Sequence, residues 1–233
     1  MKRTTVILYC VLFALVVLLP AGTVLSACFG YTFTLFNITL FSIALAVVSV
    51  CAVILDLIQK ETDIDKGICV LLAIITPLSL VNSVFCIFKC GQIWVFISTT
   101  ICTGCCFILT AKNGQPMALK IVALALSGLM ILPVGFLNLF GTFFRIGQNT
   151  VVRTVESPNG RYYAEVIDSD QGALGGDTVV EVHKKGGINL LLFKIEKKPQ
   201  CVYWGEWGEF KDMIIYWRGD HCIVINSVEY TIE

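Results

Sequence analysis

An α-helical polytopic membrane region of five transmembrane helices, followed by a small all-β antiparallel domain of sandwich or barrel type, is the fold class this sequence predicts. Three observations predict it. The 233 residues are 56% hydrophobic and only 15% charged, with a mean hydropathy of +0.80, against about 25% charged in an ordinary soluble domain. Five stretches without Asp, Glu, Lys or Arg reach the roughly 20 residues that a helix rising about 1.5 Å per residue needs to cross a bilayer core. From Arg145 the composition turns abruptly to short alternating runs separated by turn residues. Charge divides at the same place: residues 1–144 carry seven Lys/Arg against four Asp/Glu, and residues 145–233 carry ten against thirteen. That balance excludes a strongly basic nucleic-acid binder.

The five stretches are Thr5–Cys28, Tyr31–Leu55, Gly67–Phe88, Gln92–Ala111 and Ile121–Phe144. Lys60, Glu61, Asp63, Asp65 and Lys66 separate the second from the third. Lys89-Cys90-Gly91 turns the chain after the third, and Lys112-Asn113-Gly114-Gln115-Pro116 after the fourth. Phe29-Gly30 carries no charge, yet the apolar run around it is too long to cross once, so a turn belongs there. Domain boundaries follow: 1–144 for the membrane region and 145–233 for the β-domain.

Sidedness is read from Lys and Arg near the span ends. With the N-terminus inside, Lys2, Arg3, Lys60, Lys66, Lys112 and Lys120 face the cytoplasm, against Lys89, Arg145 and Arg153 outside. An odd number of crossings then puts the C-terminal domain outside the plasma membrane. Trp94 fits an interfacial anchor at the outer end of the fourth span. The N-terminus admits a second reading. Met1-Lys2-Arg3, an apolar run and Leu25-Ser26-Ala27-Cys28 resemble a bacterial lipoprotein signal with Cys28 as the acylated residue. An ordinary first span is favoured, because another span follows Cys28 rather than a polar linker. Downstream sidedness is the same in both cases.

The spans contain no ionisable side chain of the kind that transporters place at membrane depth, and both histidines lie beyond residue 144. This disfavours a channel or transporter subunit, which stays as an alternative. Asn82 and Asn138 are the strongest polar candidates, and inter-helix hydrogen bonding is their simpler use. Pro20, Pro77 and Pro133 fall inside spans one, three and five.

Ser98, Thr99, Thr100, Cys102, Thr103, Gly104, Cys105 and Cys106 are broken only by Ile101. Small side chains let helices approach closely in lipid, so this helix is expected at the centre of the bundle. Cys102-Thr103-Gly104-Cys105 is also a C-x-x-C pattern, whose first cysteine would be the nucleophile of a redox enzyme. The spacing resembles that of membrane thiol oxidoreductases that pass electrons to quinone. Those enzymes need a second, outward cysteine pair, and Cys90 is the one cysteine in an outer joint. Packing is therefore the preferred reading, with Cys102 and Cys105 kept as the redox alternative.

Eight short strands are expected in the C-terminal part: Thr150–Glu156, Arg161–Asp168, Thr178–Lys184, Ile188–Ile195, Cys201–Trp204, Met213–Trp217, His221–Ile225 and Val228–Ile232. Tyr162, Ala164 and Val166 share one face with Tyr163, Glu165 and Ile167 opposite. Likewise Val180 and Val182 oppose Val179, Glu181 and His183. Ser157-Pro158-Asn159-Gly160 is a turn, with Pro presetting φ and Gly accepting a positive one.

Ser157-Pro158-Asn159-Gly160-Arg161-Tyr162 is similar to the S-P-[DN]-G-x-Y hairpin opening of many bacterial extracytoplasmic β-domains. With the Gly-rich loop Gly172–Gly176, the strand Asp177–His183 and the ending Ile215-Tyr216-Trp217-Arg218-Gly219-Asp220 … Val224-Ile225-Asn226, roughly the last 85 residues resemble an uncharacterised family of small bacterial membrane-linked β-domains, a domain of unknown function. The resemblance implies fold and placement but no activity.

Cys201 and Cys222 are the domain's only cysteines. A bridge between them would close a loop of about 20 residues and add roughly 3 kcal/mol in an oxidising compartment; two unpaired thiols on neighbouring strands is the other reading. Asp168-Ser169-Asp170-Gln171-Gly172 with Asp177 looks superficially like a calcium loop but has Val179 where a bidentate Glu is needed. His183 and His221 lack partners in a zinc spacing, so no metal or cofactor is expected. Arg218-Gly219-Asp220 suits a hairpin turn, and Asn37-Ile38-Thr39 is a glycosylation triplet placed inside span two. Trp204, Trp207, Trp217, Tyr203 and Tyr216 would serve either the core or an exposed aromatic face. The expected function is non-catalytic: interaction, sensing or envelope maintenance, with the lipid bilayer and an envelope protein as partners.

Overall fold

The computed structural model describes residues 3–58, 66–90, 92–112, 117–144, 148–172 and 175–232. The chain forms two compact units. One comprises Met1–Leu25, Thr34–Phe143 and Leu191–Phe193; the other comprises Ser26–Phe33, Phe144–Leu190 and Lys194–Glu233.

The first unit is built on five helices, α1 (Arg3–Cys28), α2 (Ile38–Ile58), α3 (Lys66–Cys90), α4 (Ile93–Lys112) and α5 (Met117–Phe144). All five are long and apolar enough to cross a membrane. Their buried faces repeat every three to four residues: Thr5, Tyr9, Leu12, Val16 and Leu19 on α1, and Val95, Ser98, Thr99, Cys102, Cys106 and Leu109 on α4. Such a stripe brings one side of a helix against its neighbours. Consistent with its small residues, α4 packs against both α2 and α3.

Polar contacts between helices lock this packing. Thr110 Oγ1 donates to the Leu72 carbonyl at 2.8 Å, which commits its one proton. The Thr76 hydroxyl then donates to Thr110 Oγ1 (2.6 Å), sharing its proton with the Cys106 carbonyl (3.1 Å). In α5, the Asn138 amide donates to Ser83 Oγ on α3 at 2.7 Å.

The expectation of a helix from Tyr31 is corrected. Tyr31–Leu35 is a strand, β1, and α2 starts only at Ile38. Tyr, Thr and Phe are β-formers, and in Tyr31-Thr32-Phe33-Thr34-Leu35 the pleat buries Phe33. Asn37 is thus not inside a span. Its carboxamide oxygen accepts from Leu40 N at 3.0 Å and its carbonyl from Phe41 N, so it caps the start of α2. The fifth helix also begins before Ile121, and Lys120 within it donates to the Ala111 carbonyl at the end of α4.

The second unit is antiparallel β. The remaining strands are β2 (Gln148–Glu156), β3 (Tyr162–Asp170), β4 (Gly176–Lys184), β5 (Gly187–Asn189), β6 (Phe193–Lys197), β7 (Gln200–Glu206), β8 (Ile215–Trp217), β9 (Cys222–Ile225) and β10 (Val228–Thr231). They form sheets of order β2-β3-β4-β7, β10-β9-β8 and β1-β6-β5, none of them closed. Lys198 N donates to the Gly30 carbonyl and Phe36 N to the Leu192 carbonyl, so rising numbers on one strand meet falling numbers on the other and β1 runs antiparallel to β6.

The expected single strand Ile188–Ile195 is instead the β5–β6 hairpin. The apolar run Leu190-Leu191-Leu192 continues a strand-like pattern through what is a bend. The alternation read from β3 and β4 holds: Tyr162, Ala164, Val166, Val180 and Val182 enter one core with Met213, Ile223, Ile225 and Ile232. At the β2–β3 turn Gly160 has φ 66°, Ser157 N bonds the Tyr162 carbonyl and Tyr162 N bonds Ser157 Oγ. Asn226 and Ser227, at φ 48° and 70°, make the two-residue β9–β10 turn that matches strand twist.

Candidate functional site

The structure places the helical candidates in packed positions. Cys102 and Cys106 lie on the buried face of α4 and Cys105 is half-buried; all three thiols are free. The Cys90 side chain lies outside the described residues. Asn82 is buried and its Oδ1 accepts from Cys86 Sγ at 3.7 Å, one turn along α3. Asn138 and Ser83 border a cavity of about 380 Å³ between α3, α4 and α5, whose wall is otherwise mostly apolar and includes Thr100, Thr103, Gly104 and Gly135.

A cluster that sequence reading missed sits at the end of α2. Asp56 belongs to this helix, contrary to a span ending at Leu55. It accepts from the Tyr9 hydroxyl of α1 at 2.6 Å and pairs with Lys112 Nζ of α4 at 3.2 Å. Residues 47 and 56 positions apart meet here, and no local spacing announces such a meeting.

In the β unit, Tyr163, Glu165, Glu181 and His183 share the face of β3 and β4 opposite the core. The His183 ring stacks on Tyr163 at 4.8 Å. Its Nε2 lies 3.3 Å from Glu165 Oε2 and 3.7 Å from Glu181 Oε2. Burial, and then the charges of Glu196 and Glu165, push the Tyr163 phenol up to about 12. His221 stands elsewhere, edge-on to Tyr162. No group of three metal-ligating side chains that could hold an ion occurs among the described residues.

The Asp168–Asp177 carboxylates are occupied locally. Asp168 accepts from Trp207 Nε1, Asp170 from Gly172 N and Asp177 from Gln171 Nε2; residues 173 and 174 lie outside the described set. Asp220, in the hairpin turn, accepts from Asn159 N.

Cys201 and Cys222 are free and belong to different sheets. Cys201 sits opposite Glu181 on an edge strand, with Sγ bonded to the Tyr203 carbonyl at 3.6 Å. Cys222 sits opposite Thr231 and bonds Glu229 Oε2 at 3.8 Å. Burial, followed by the Glu181 charge, pushes the Cys201 thiol up. Cys28 is the exposed last residue of α1.

The aromatic residues divide between the two expected uses. Trp217 and Tyr203 pack on the core, Trp217 donating to the Val155 carbonyl. Tyr203 bonds Glu209, which raises its phenol pKa. Trp204, Trp207 and Tyr216 are exposed, at 68%, 57% and 50%.

One further concavity, about 320 Å³, is lined by Gly30, Lys184, Lys197, Lys198, Gln200 and Ile232 among others. All its lining residues belong to the β unit. Five separate chain segments build it, which is why no motif marks it.

Comparison with protein-family models, with curated proteins and with solved structures finds no match to this chain.

Proposed function

We propose that the chain is a multi-pass membrane protein that displays its β unit outside the plasma membrane as a non-catalytic docking module for an envelope partner. Five helices of spanning length and apolarity support membrane insertion. The observation that carries the sidedness is the composition of the β unit: it takes in both Ser26–Phe33 and the chain after α5. Four helices, α2 to α5, separate those segments. An even number of crossings returns a chain to the side it left, so one folded unit can hold both segments. The Lys/Arg asymmetry then makes that side the outer one.

Docking is favoured by the exposed Trp204, Trp207 and Tyr216, since Trp and Tyr are enriched where proteins bind partners. Trp204 lies on β7, an edge strand of the four-stranded sheet, and an edge is where a sheet can take up a strand from another chain. The similarity of the Ser157–Tyr162 turn to bacterial extracytoplasmic β-domains agrees with this reading.

Trypsin added to sealed, right-side-out membrane vesicles tests it. Cleavage within the β unit, at exposed Lys184 or Lys197, is expected without opening the vesicles. Cleavage only after lysis would overturn the proposal.

A further inference from the structure

We infer that the lysine-lined cavity of the β unit binds the phosphate of an anionic phospholipid headgroup. The inference rests on the membrane reading above. Its volume of about 320 Å³ lies within the roughly 300–1,000 Å³ of small-ligand sites.

The first ground is charge. Lys184, Lys197 and Lys198 line the cavity, and no Asp or Glu does. Their neighbours in sequence are compensated: Lys185 pairs with Glu156 at 2.8 Å and Lys194 with Glu196 at 2.6 Å. The three lining lysines enter no ion pair among the described residues. In a part of the chain where acids outnumber bases, three lysines without an ion pair thus share one concavity that no carboxylate enters. Clustered lysines in a concave wall concentrate positive potential, and a phosphate oxyanion is the group that satisfies it.

The second ground is depth. Gly30 forms part of the wall and lies two residues beyond Cys28, the last residue of α1. Two residues reach at most about 7 Å, about the thickness of the headgroup layer on one side of a bilayer. Chain length alone therefore keeps the Gly30 edge of the wall within one headgroup thickness of the last residue of α1. Lys198 is held there directly, because its backbone N donates to the Gly30 carbonyl at 3.0 Å. Phe29 and Tyr31, on either side of Gly30, are 76% and 47% exposed, as suits side chains that rest in the membrane interface.

The full chain, reconstituted into nanodiscs of phosphatidylcholine containing a rising fraction of phosphatidylglycerol, tests the inference. Retained lipid is counted by native mass spectrometry. The native chain is expected to retain phosphatidylglycerol over phosphatidylcholine. Each lysine contributes about five-fold, so Lys184→Gln/Lys197→Gln/Lys198→Gln should lose about 100-fold of the preference. The corresponding triple Arg variant should keep it, as should Lys185→Gln, whose lysine does not line the cavity. Equal preference in the native and triple Gln chains would overturn the site. Displacement by inorganic phosphate as effective as by lipid would overturn the lipid source. Failure of the native chain to enter phosphatidylcholine discs would instead overturn the membrane reading itself.

Discussion

The hydroxyl of Tyr9, buried on α1, donates a 2.6 Å hydrogen bond to the carboxylate of Asp56 near the end of α2. Lys112 of α4 reaches the same residue twice, with Nζ 3.2 Å from Oδ2 and 2.7 Å from the backbone carbonyl. Three helices are thereby tied at one polar point. An acid on an apolar helix is tolerable only with such partners, because an uncompensated charge away from water costs several kcal/mol.

Removing either partner should therefore weaken the helical unit. Tyr9→Phe is expected to cost about 1.5–3 kcal/mol, the net value of a hydrogen bond to a charged group. Lys112→Met should cost about 1–3 kcal/mol, below the value for a deeply buried pair because the ammonium is partly solvated. Thermal unfolding in detergent reads both; a Lys112→Met chain as stable as the native one would refute this account.

The Thr76–Thr110 contact predicts a non-additive cycle. Thr110→Val removes the side-chain donor to the Leu72 carbonyl and leaves the Thr76 hydroxyl with the Cys106 carbonyl alone, and should cost about 1 kcal/mol. Adding Thr76→Val to that variant should cost less than Thr76→Val does in the native chain, since only the hydrogen bond to the Cys106 carbonyl is left to lose. Additive losses from the two single changes would show that the hydroxyls do not act as a pair.

Gly176 tests the packing of Trp207. A Cβ there would lie 2.6 Å from the Ser169 carbonyl oxygen and 2.7 Å from Trp207 Cδ1. Gly176→Ala should destabilise the β unit by about 1–3 kcal/mol and shift Trp fluorescence as the indole moves. Gly160→Ala meets open space and strains only the positive φ, at about 1–2 kcal/mol, without the spectral shift.

Tyr163 predicts a loss of stability in strong base. Burial holds its folded pKa at about 12, above the roughly 10 of a free phenol. Because the folded value is the higher one, its contribution is fully present below pH about 10 and disappears as pH rises towards 12. Thermal unfolding of the native chain should weaken more between pH about 8 and about 11.5 than that of Tyr163→Phe. Equal weakening would contradict the placement of Tyr163 beside Glu165 and Glu196.

Local sequence carried much of this architecture and little of its polar detail. Five spans were legible because a bilayer demands uninterrupted apolar length. The core faces of β3 and β4 were legible because Ala164, Val166, Val180 and Val182 alternate with polar neighbours. Tyr31–Leu35 was not, since an apolar run gives helix and strand the same signature, and its partner β6 lies some 160 residues away. The Asp56 cluster and the lysine cavity escaped for the same reason. Tyr9, Asp56 and Lys112 come from three helices, and Gly30, Lys184 and Lys198 from three distant segments, so their chemistry exists only after folding.

In the proposed arrangement the turn after α1 and the β unit occupy one side of the membrane, the outer one. Labelling intact cells with a membrane-impermeant maleimide tests it most directly, using native Cys201 in one chain and Phe29→Cys in another, each with the remaining exposed cysteines replaced by Ser. Both reporters should react without permeabilisation. A reporter that reacts only after the cells are opened, while the other reacts at once, would contradict the shared side. Silence of both until opening would place the whole unit in the cytoplasm and reverse the account.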